Sequence, residues 1–113
     1  MQEPIIKNIN QKPNQIELTL LFSANSQYFQ GHFPEFAVLP GVAQIHFAVL
    51  FIQKYFDIIP NLKSIKKLRF MHIIQPEKEV FLVLEYKKEK QVISFKYSSI
   101  GLVHSSGDFY LSI

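Results

Sequence analysis

Two short motifs in this sequence bring together residue types able to do chemistry. Gly31-His32-Phe33-Pro34 is followed by Pro40-Gly41-Val42. His32 stands just before a proline-bounded loop, and that loop opens directly into an apolar segment. Imidazole is the default side chain for taking a proton near neutral pH. Gly41 carries no side chain, so a ligand can approach its backbone N–H, one of the unpaired donors in the first turn of a helix. The partial positive charge at a helix N-terminus adds to that donor. A base beside an oxyanion-stabilising donor suits removal of a proton next to a carbonyl, as on an acyl thioester. Read alone, the same residues also fit a loop histidine with a structural hydrogen bond and a Pro-Gly pair that merely starts a helix.

The positioning elements follow from periodicity. Pro40 is placed at the first position of a helix, where its missing N–H is harmless. Val42, Ile45, Val49, Ile52 and Phe56 then recur at helical spacing. Ala43, Phe47, Ala48, Leu50 and Phe51 make most of the other faces apolar, so the helix is expected to be buried nearly all round. Gln44, His46, Gln53 and Lys54 interrupt this pattern, and Ile59-Pro60-Asn61 ends the element.

Before the helix, residues 5–9 can form a short strand, Gln11-Lys12-Pro13-Asn14 a turn, and Ile16, Leu18, Leu20 and Phe22 alternate as a strand. The polar run 23–27 breaks it and can start one helical turn through Tyr28 and Phe29. After the helix, residues 65–74, 80–86, 92–99 and 102–113 read as strands. The last is taken as continuous, because a turn at 105–108 would leave two fragments too short to pair well. Ser105 to Gly107 would then let another backbone or the helix come close. One long helix with about five antiparallel strands is an α+β layout, and wrapping a curved sheet around the helix is the simplest way to bury it.

With 113 residues, no internal repeat and no linker, the chain reads as a single domain spanning 1–113. It is 48% hydrophobic with 11 phenylalanines, more apolar material than so small a body hides alone, so a subunit interface is expected. The absence of cysteine excludes disulfides and thiolate metal sites. The start of the chain shows no basic stretch followed by an apolar core, and the run 42–52 is too short and too polar for a bilayer. A cytoplasmic location without membrane attachment is expected. Net charge is +3. Basic residues cluster at Lys63, Lys66, Lys67 and Arg69, and at Lys87, Lys88 and Lys90. They fit solvated strand ends or a docking surface for an acidic partner. No nucleic-acid motif accompanies them.

Tyr28-Phe29-Gln30-Gly31-His32-Phe33-Pro34 with Val38-Leu39-Pro40-Gly41-Val42 resembles the active-site region of the FabA/FabZ-type 3-hydroxyacyl-acyl-carrier-protein dehydratases. The wording of residues 39–45 looks closest to the ApeI-like branch, associated with aryl-polyene assembly. Leu68-Arg69-Phe70 and the turn at Pro76 look like the strand after the central helix in that family. The resemblance implies the hotdog fold, a sheet wrapped around a central helix. It implies dehydration of a 3-hydroxyacyl thioester on acyl carrier protein, attached through phosphopantetheine, to the trans-2-enoyl product.

On that resemblance His32 is the base and the Gly41 N–H holds the thioester oxygen. The family acid lies fourteen residues after the His, which here is position 46, a histidine. An imidazolium at 46 could hand a proton to the departing hydroxyl, and burial there would favour its neutral form. His46 thus reads as a working acid or orienting group, as a satisfied core residue of a weakened enzyme, or as part of a mixed-subunit assembly. Phe33, Pro34, Phe36, Pro40, Val42 and Phe47 are candidates to line an acyl tunnel, with plain core as the alternative for the phenylalanines. Gln44 and Glu35 are nearby polar candidates, while His72 and His104 read as structural residues on strands.

By analogy the two polar groups of one site come from different subunits, implying a homodimer or higher homo-oligomer, and the Lys63–Arg69 cluster would meet the carrier. No cofactor is needed for this acid–base elimination. A zinc pair at His32 and His46 lacks a third ligand at sensible spacing. Two other readings stand beside dehydration: a hotdog acyl thioesterase, which would need a carboxylate near the carbonyl, and a non-catalytic acyl-carrier-binding subunit of a mixed dimer.

Overall fold

Alternating apolar residues along the strands build one buried face of a single sheet. The computed structural model describes residues 3–24 and 38–111. The described residues form strands β1 (Ile5–Lys12), β2 (Gln15–Leu21), β3 (Ile65–Phe70), β4 (Glu79–Lys87), β5 (Val92–Ser99) and β6 (Leu102–Tyr110), and the helix α1 (Gly41–Phe56). The strands pair antiparallel in the order β1-β2-β4-β5-β6-β3, so β1 and β3 are the edges. None of the described helices is long and apolar enough to cross a membrane.

Two cross-strand rows carry the face that α1 packs on. Ile16, Leu84, Phe95 and Gly107 form one, and Leu18, Leu82, Tyr97 and Ser105 the next. Each row ends in a ring on β5 beside a small residue on β6. The ring needs the space that the small residue leaves. A Cβ at Gly107 would stand 2.7 Å from Cε2 of Phe95 and 3.2 Å from Cδ1 of Leu68. Phe95 itself is packed at 6.0 Å from Tyr97 and 5.7 Å from Phe109, ring centre to ring centre. Over this floor α1 lays Ala43, Gln44, Phe47, Ala48, Phe51 and Ile52, one stripe at helical spacing. The two alanines let the helix axis come near the sheet.

The α+β layout and the continuous last strand match the sequence reading, and Ser105 does meet the helix. Several expectations need correction. The first strand runs on to Lys12, where Pro13 and Asn14 turn it back, with Asn14 at φ 70°. The described residues hold six strands, one for each of the six segments read as strands. Pro40 is the N-cap, with extended ψ of 151°, and Gly41 is the first helical residue. The helix stops at Phe56, because Asp57 adopts a left-handed conformation at φ 56° and closes the last turn on the Gln53 carbonyl.

The strand expected over 65–74 ends at Phe70. Lys67 sits at φ 56° in a bulge between Lys66 and Arg69. Beyond Phe70, the N–H groups of Met71 and His72 both donate to the one carbonyl of His104, at 2.8 and 3.2 Å, so the ladder cannot continue. The helix is not buried all round in the single chain. Val42 is 80% exposed and His46, Gln53 and Lys54 are exposed, because the sheet covers one side of the helix only.

Gly107→Val should lower the unfolding free energy by about 2 kcal/mol, since the added methyls meet a ring that its neighbours hold in place. Urea denaturation measures this, and a variant as stable as the parent would contradict the packing described.

Candidate active site

The entry to α1 is fixed by one buried amide. Gln44 is 4% exposed. Its Nε2 donates to the Leu39 carbonyl at 3.1 Å, and its Oε1 accepts from the Ser105 hydroxyl at 2.6 Å. Its backbone carbonyl accepts from the Tyr97 hydroxyl at 2.7 Å. Burial pushes the Tyr97 phenol well above its ordinary range, which keeps it protonated as a donor. Leu39 is held from the other side too, its N–H donating to the Ile74 carbonyl at 2.8 Å. Gln44 therefore positions the helix start, and both ends of its amide are already engaged in doing so.

The first helical bond runs from the Gln44 N–H to the Pro40 carbonyl. The N–H groups of Gly41, Val42 and Ala43 precede it and have no carbonyl within the helix. A cavity of about 300 Å³ opens at this point, walled by Leu39, Pro40, Gly41, Phe70, Met71 and His72 among others. Gly41 is a glycine for a steric reason as well as an electrostatic one. A Cβ there would stand 2.7 Å from Cζ of Phe70, whose ring leans over the helix start.

His46 lies one helical turn further on and opens elsewhere. It is exposed, with its ring edge-on to Phe47 at 5.2 Å. With Val42, Ile45, Val49, Leu62 and Ile65 it lines a separate, mostly apolar hollow of about 340 Å³. The burial expected of His46 is not found in the single chain, where its side of the helix is exposed. Phe47 is fully buried against Phe22, at 5.5 Å between ring centres. His32, Phe33, Pro34, Glu35 and Phe36 lie outside the described residues.

The two remaining histidines meet where β6 faces the loop after β3. His104 is buried, as expected of a structural residue on a strand. Its Nδ1 lies 3.3 Å from the His72 carbonyl and its Nε2 2.6 Å from the Ser99 hydroxyl. A carbonyl only accepts, so Nδ1 carries the proton and Nε2 accepts from Ser99. His72 departs from expectation. It follows the end of β3, is exposed, and borders the cavity at the helix start. The basic cluster is exposed along edge strand β3, with the Lys66 ammonium 4.7 Å from the centre of the Tyr110 ring.

Comparison with known proteins bears on this arrangement. Residues 8–108 match the family model described as ApeI-like, ApeI dehydratase. The chain belongs to the ApeI-like family. A chain of the dehydratase heterocomplex ApeI:P from Xenorhabdus doucetiae superposes with a TM-score of 0.85 at 26% identity, covering 99% of this chain and 100% of that one. A crystal structure of a protein from Erwinia carotovora subsp. atroseptica gives 0.79 at 28% identity, over 98% and 97%. These fix the architecture as the hotdog fold.

The ApeI-like chain is also 35% identical over 75 residues to the 3-hydroxyacyl-acyl-carrier-protein dehydratase FabZ of Clostridium botulinum, over 60% of this chain and 53% of that protein. To the FabZ of Petrotoga mobilis it is 32% identical over 87 residues, 72% and 62% of the two chains. It thus spans about half to three-fifths of the length of these relatives.

Sequence reasoning missed the contact of Phe70 with Gly41, the bond from Tyr97 to the helix, and the place of His72. The signal for the first was present in Leu68-Arg69-Phe70, a segment already matched to the family. For His72, strand periodicity pointed elsewhere because the bulge at Lys67 is not written in residue type.

Ser105→Ala removes the donor to a buried amide oxygen and should lower stability by about 1–3 kcal/mol. Thermal and urea unfolding test it, and an unchanged midpoint would show that Gln44 does not depend on Ser105.

Proposed function

We propose that this chain dehydrates a 3-hydroxyacyl thioester, carried on acyl carrier protein through phosphopantetheine, to the trans-2-enoyl thioester. The pathway class is fatty-acid or aryl-polyene-type synthesis. The observation that carries this reading is the cavity at the start of α1, where the first-turn N–H groups, which have no carbonyl within the helix, meet a wall that includes Phe70 and Met71. The names of the matching relatives support the same reaction.

His32 takes the proton from C2. The electron pair of that bond flows toward the thioester carbonyl, whose oxygen gains enolate character and is held by the Gly41 N–H. Collapse of the enolate forms the C2–C3 double bond and breaks the C3–O bond, and the hydroxyl leaves as water on receiving a proton. His46 of the partner subunit is the proposed donor in a homodimer. Support for pairing comes from exposed Val42 beside half-buried Ile45 and Val49 on the helix, and from exposed Leu68, Phe70, Met71 and Ile73 along and beyond edge strand β3. Phe33, Pro34, Phe36, Pro40, Val42 and Phe47 are proposed to shape the acyl path. The basic residues from Lys63 to Arg69 are proposed to dock the acidic carrier, and a cytoplasmic location is proposed with them.

A second reading has one specific support. The similar Xenorhabdus doucetiae chain belongs to a structure described as a heterocomplex, and position 46 lacks a carboxylate. In that reading a sister subunit supplies the missing acid.

The purified chain alone should form enoyl product from 3-hydroxyacyl carrier protein, and His32→Ala should reduce kcat by roughly 10²–10⁴-fold. Release of free thiol would favour a thioesterase. Carrier binding without turnover would favour the silent subunit.

A further inference from the structure

We propose that His72 is a catalytic residue of this site, handing a proton from Nε2 to the departing hydroxyl from within the same protomer as Gly41. The inference rests on the dehydratase reading and gives to His72, outside the motifs, the donor role that the reading above gives to His46 of the partner subunit.

Three observations support it. First, His72 stands between two hollows, one that it shares with Gly41 and one that it shares with Ser99 and His104. With the Gly41 N–H on the thioester oxygen, another polar group on the wall of the first hollow is placed to act further along the acyl chain.

Second, His72 is held far more firmly than an exposed loop residue needs to be. Its ring Nδ1 bonds to the Val103 carbonyl at 3.0 Å. Its N–H donates to the His104 carbonyl at 3.2 Å, and its own carbonyl accepts from His104 Nδ1 at 3.3 Å. The Ser99 hydroxyl holds the far side of the His104 ring. Fixing main chain and ring together is what preorganisation of a proton donor requires.

Third, the ring is wired in the useful sense. The Val103 carbonyl only accepts, so Nδ1 carries a proton, and Nε2 has no protein partner among the described residues. Once Nε2 is also protonated, the imidazolium points one N–H at the protein and has the other free for substrate. The step balances. The C2 proton goes to the base, its electron pair becomes the new double bond, and the C3–O pair leaves with oxygen. That oxygen takes the Nε2 proton and departs as water, leaving His72 neutral until solvent reprotonates it.

The test measures turnover of the 3-hydroxyoctanoyl thioester of N-acetylcysteamine by the full chain, as parent, His72→Gln and His72→Ala. His72→Gln, whose amide can still donate to Val103, should lose about 100-fold in kcat with KM changed less than threefold. Added imidazole should restore part of the rate to His72→Ala and none to His72→Gln. Both variants should keep the parent unfolding temperature, and should His72→Ala fail to fold, the glutamine variant decides alone. A parent that turns over while His72→Gln keeps kcat within threefold overturns this assignment and leaves the dehydratase reading standing. A parent that forms no enoyl product overturns both.

Discussion

The buried amide of Gln44 is the constraint on which the rest of this molecule depends. An amide taken out of water must find partners for both its ends. It finds them on two different elements, Leu39 ahead of the helix and Ser105 on β6. Those bonds fix where the helix begins and how it stands on the sheet. The Tyr97 hydroxyl adds a third tie to the same turn. The N-terminal N–H groups of the helix therefore open at a set place, beside Phe70 and His72. A leucine at 44 would pack on the same sheet, yet it would leave Leu39 and Ser105 without their partner. The polar break that the sequence shows within an apolar helix is thus the registration device for the site.

A helix that is apolar on nearly every side needs two covers, and the sheet supplies one. The stripe from Ala43 to Ile52 is sealed against β-strand rings and leucines, while Val42 and His46 stand in the open. Edge strand β3 adds a second uncovered apolar surface, and its bulge at Lys67 breaks the regular ladder there. Exposed apolar surface of this kind marks association surfaces in small domains. One sequence choice, a helix apolar on most sides laid on a one-sided sheet, so connects the composition of the chain to the apolar surface that it leaves exposed.

Much of this was legible in residue order. Strict alternation along Ile16, Leu18 and Leu20, and again along Val80, Leu82 and Leu84, names the buried face, because side chains on a regular strand point to alternate sides. Pro40-Gly41 named the helix start to within one residue. What was not legible depends on backbone detail that residue type does not encode. Neither the positive φ of Lys67 nor the sharing of the His104 carbonyl by Met71 and His72 is marked in residue type, so strand periodicity runs four residues past the end of β3 and takes in His72. Gln44 stands in the sequence only as a polar candidate near the site, because its partners are distant: Ser105 lies 61 residues away and Tyr97 lies 53 away. The motif residues 31–36 were read from their types alone and lie outside the described residues.

The residue at 46 and the exposure of its helix face fit one argument about proton donors. A carboxylic acid keeps its proton near neutral pH only where burial or a neighbouring charge raises its pKa by several units. Such a donor needs a closed, dry site before it can work. Imidazole holds a transferable proton near neutrality with no desolvation at all. A site that has exchanged carboxylate for imidazole can therefore place its donor on a surface open to water in the single chain. Both His46 and His72 occupy such surfaces. The exchange also loosens the link between assembly and protonation. On the function proposed above, subunit pairing would shape the acyl path and bring groups together without having to keep the acid protonated.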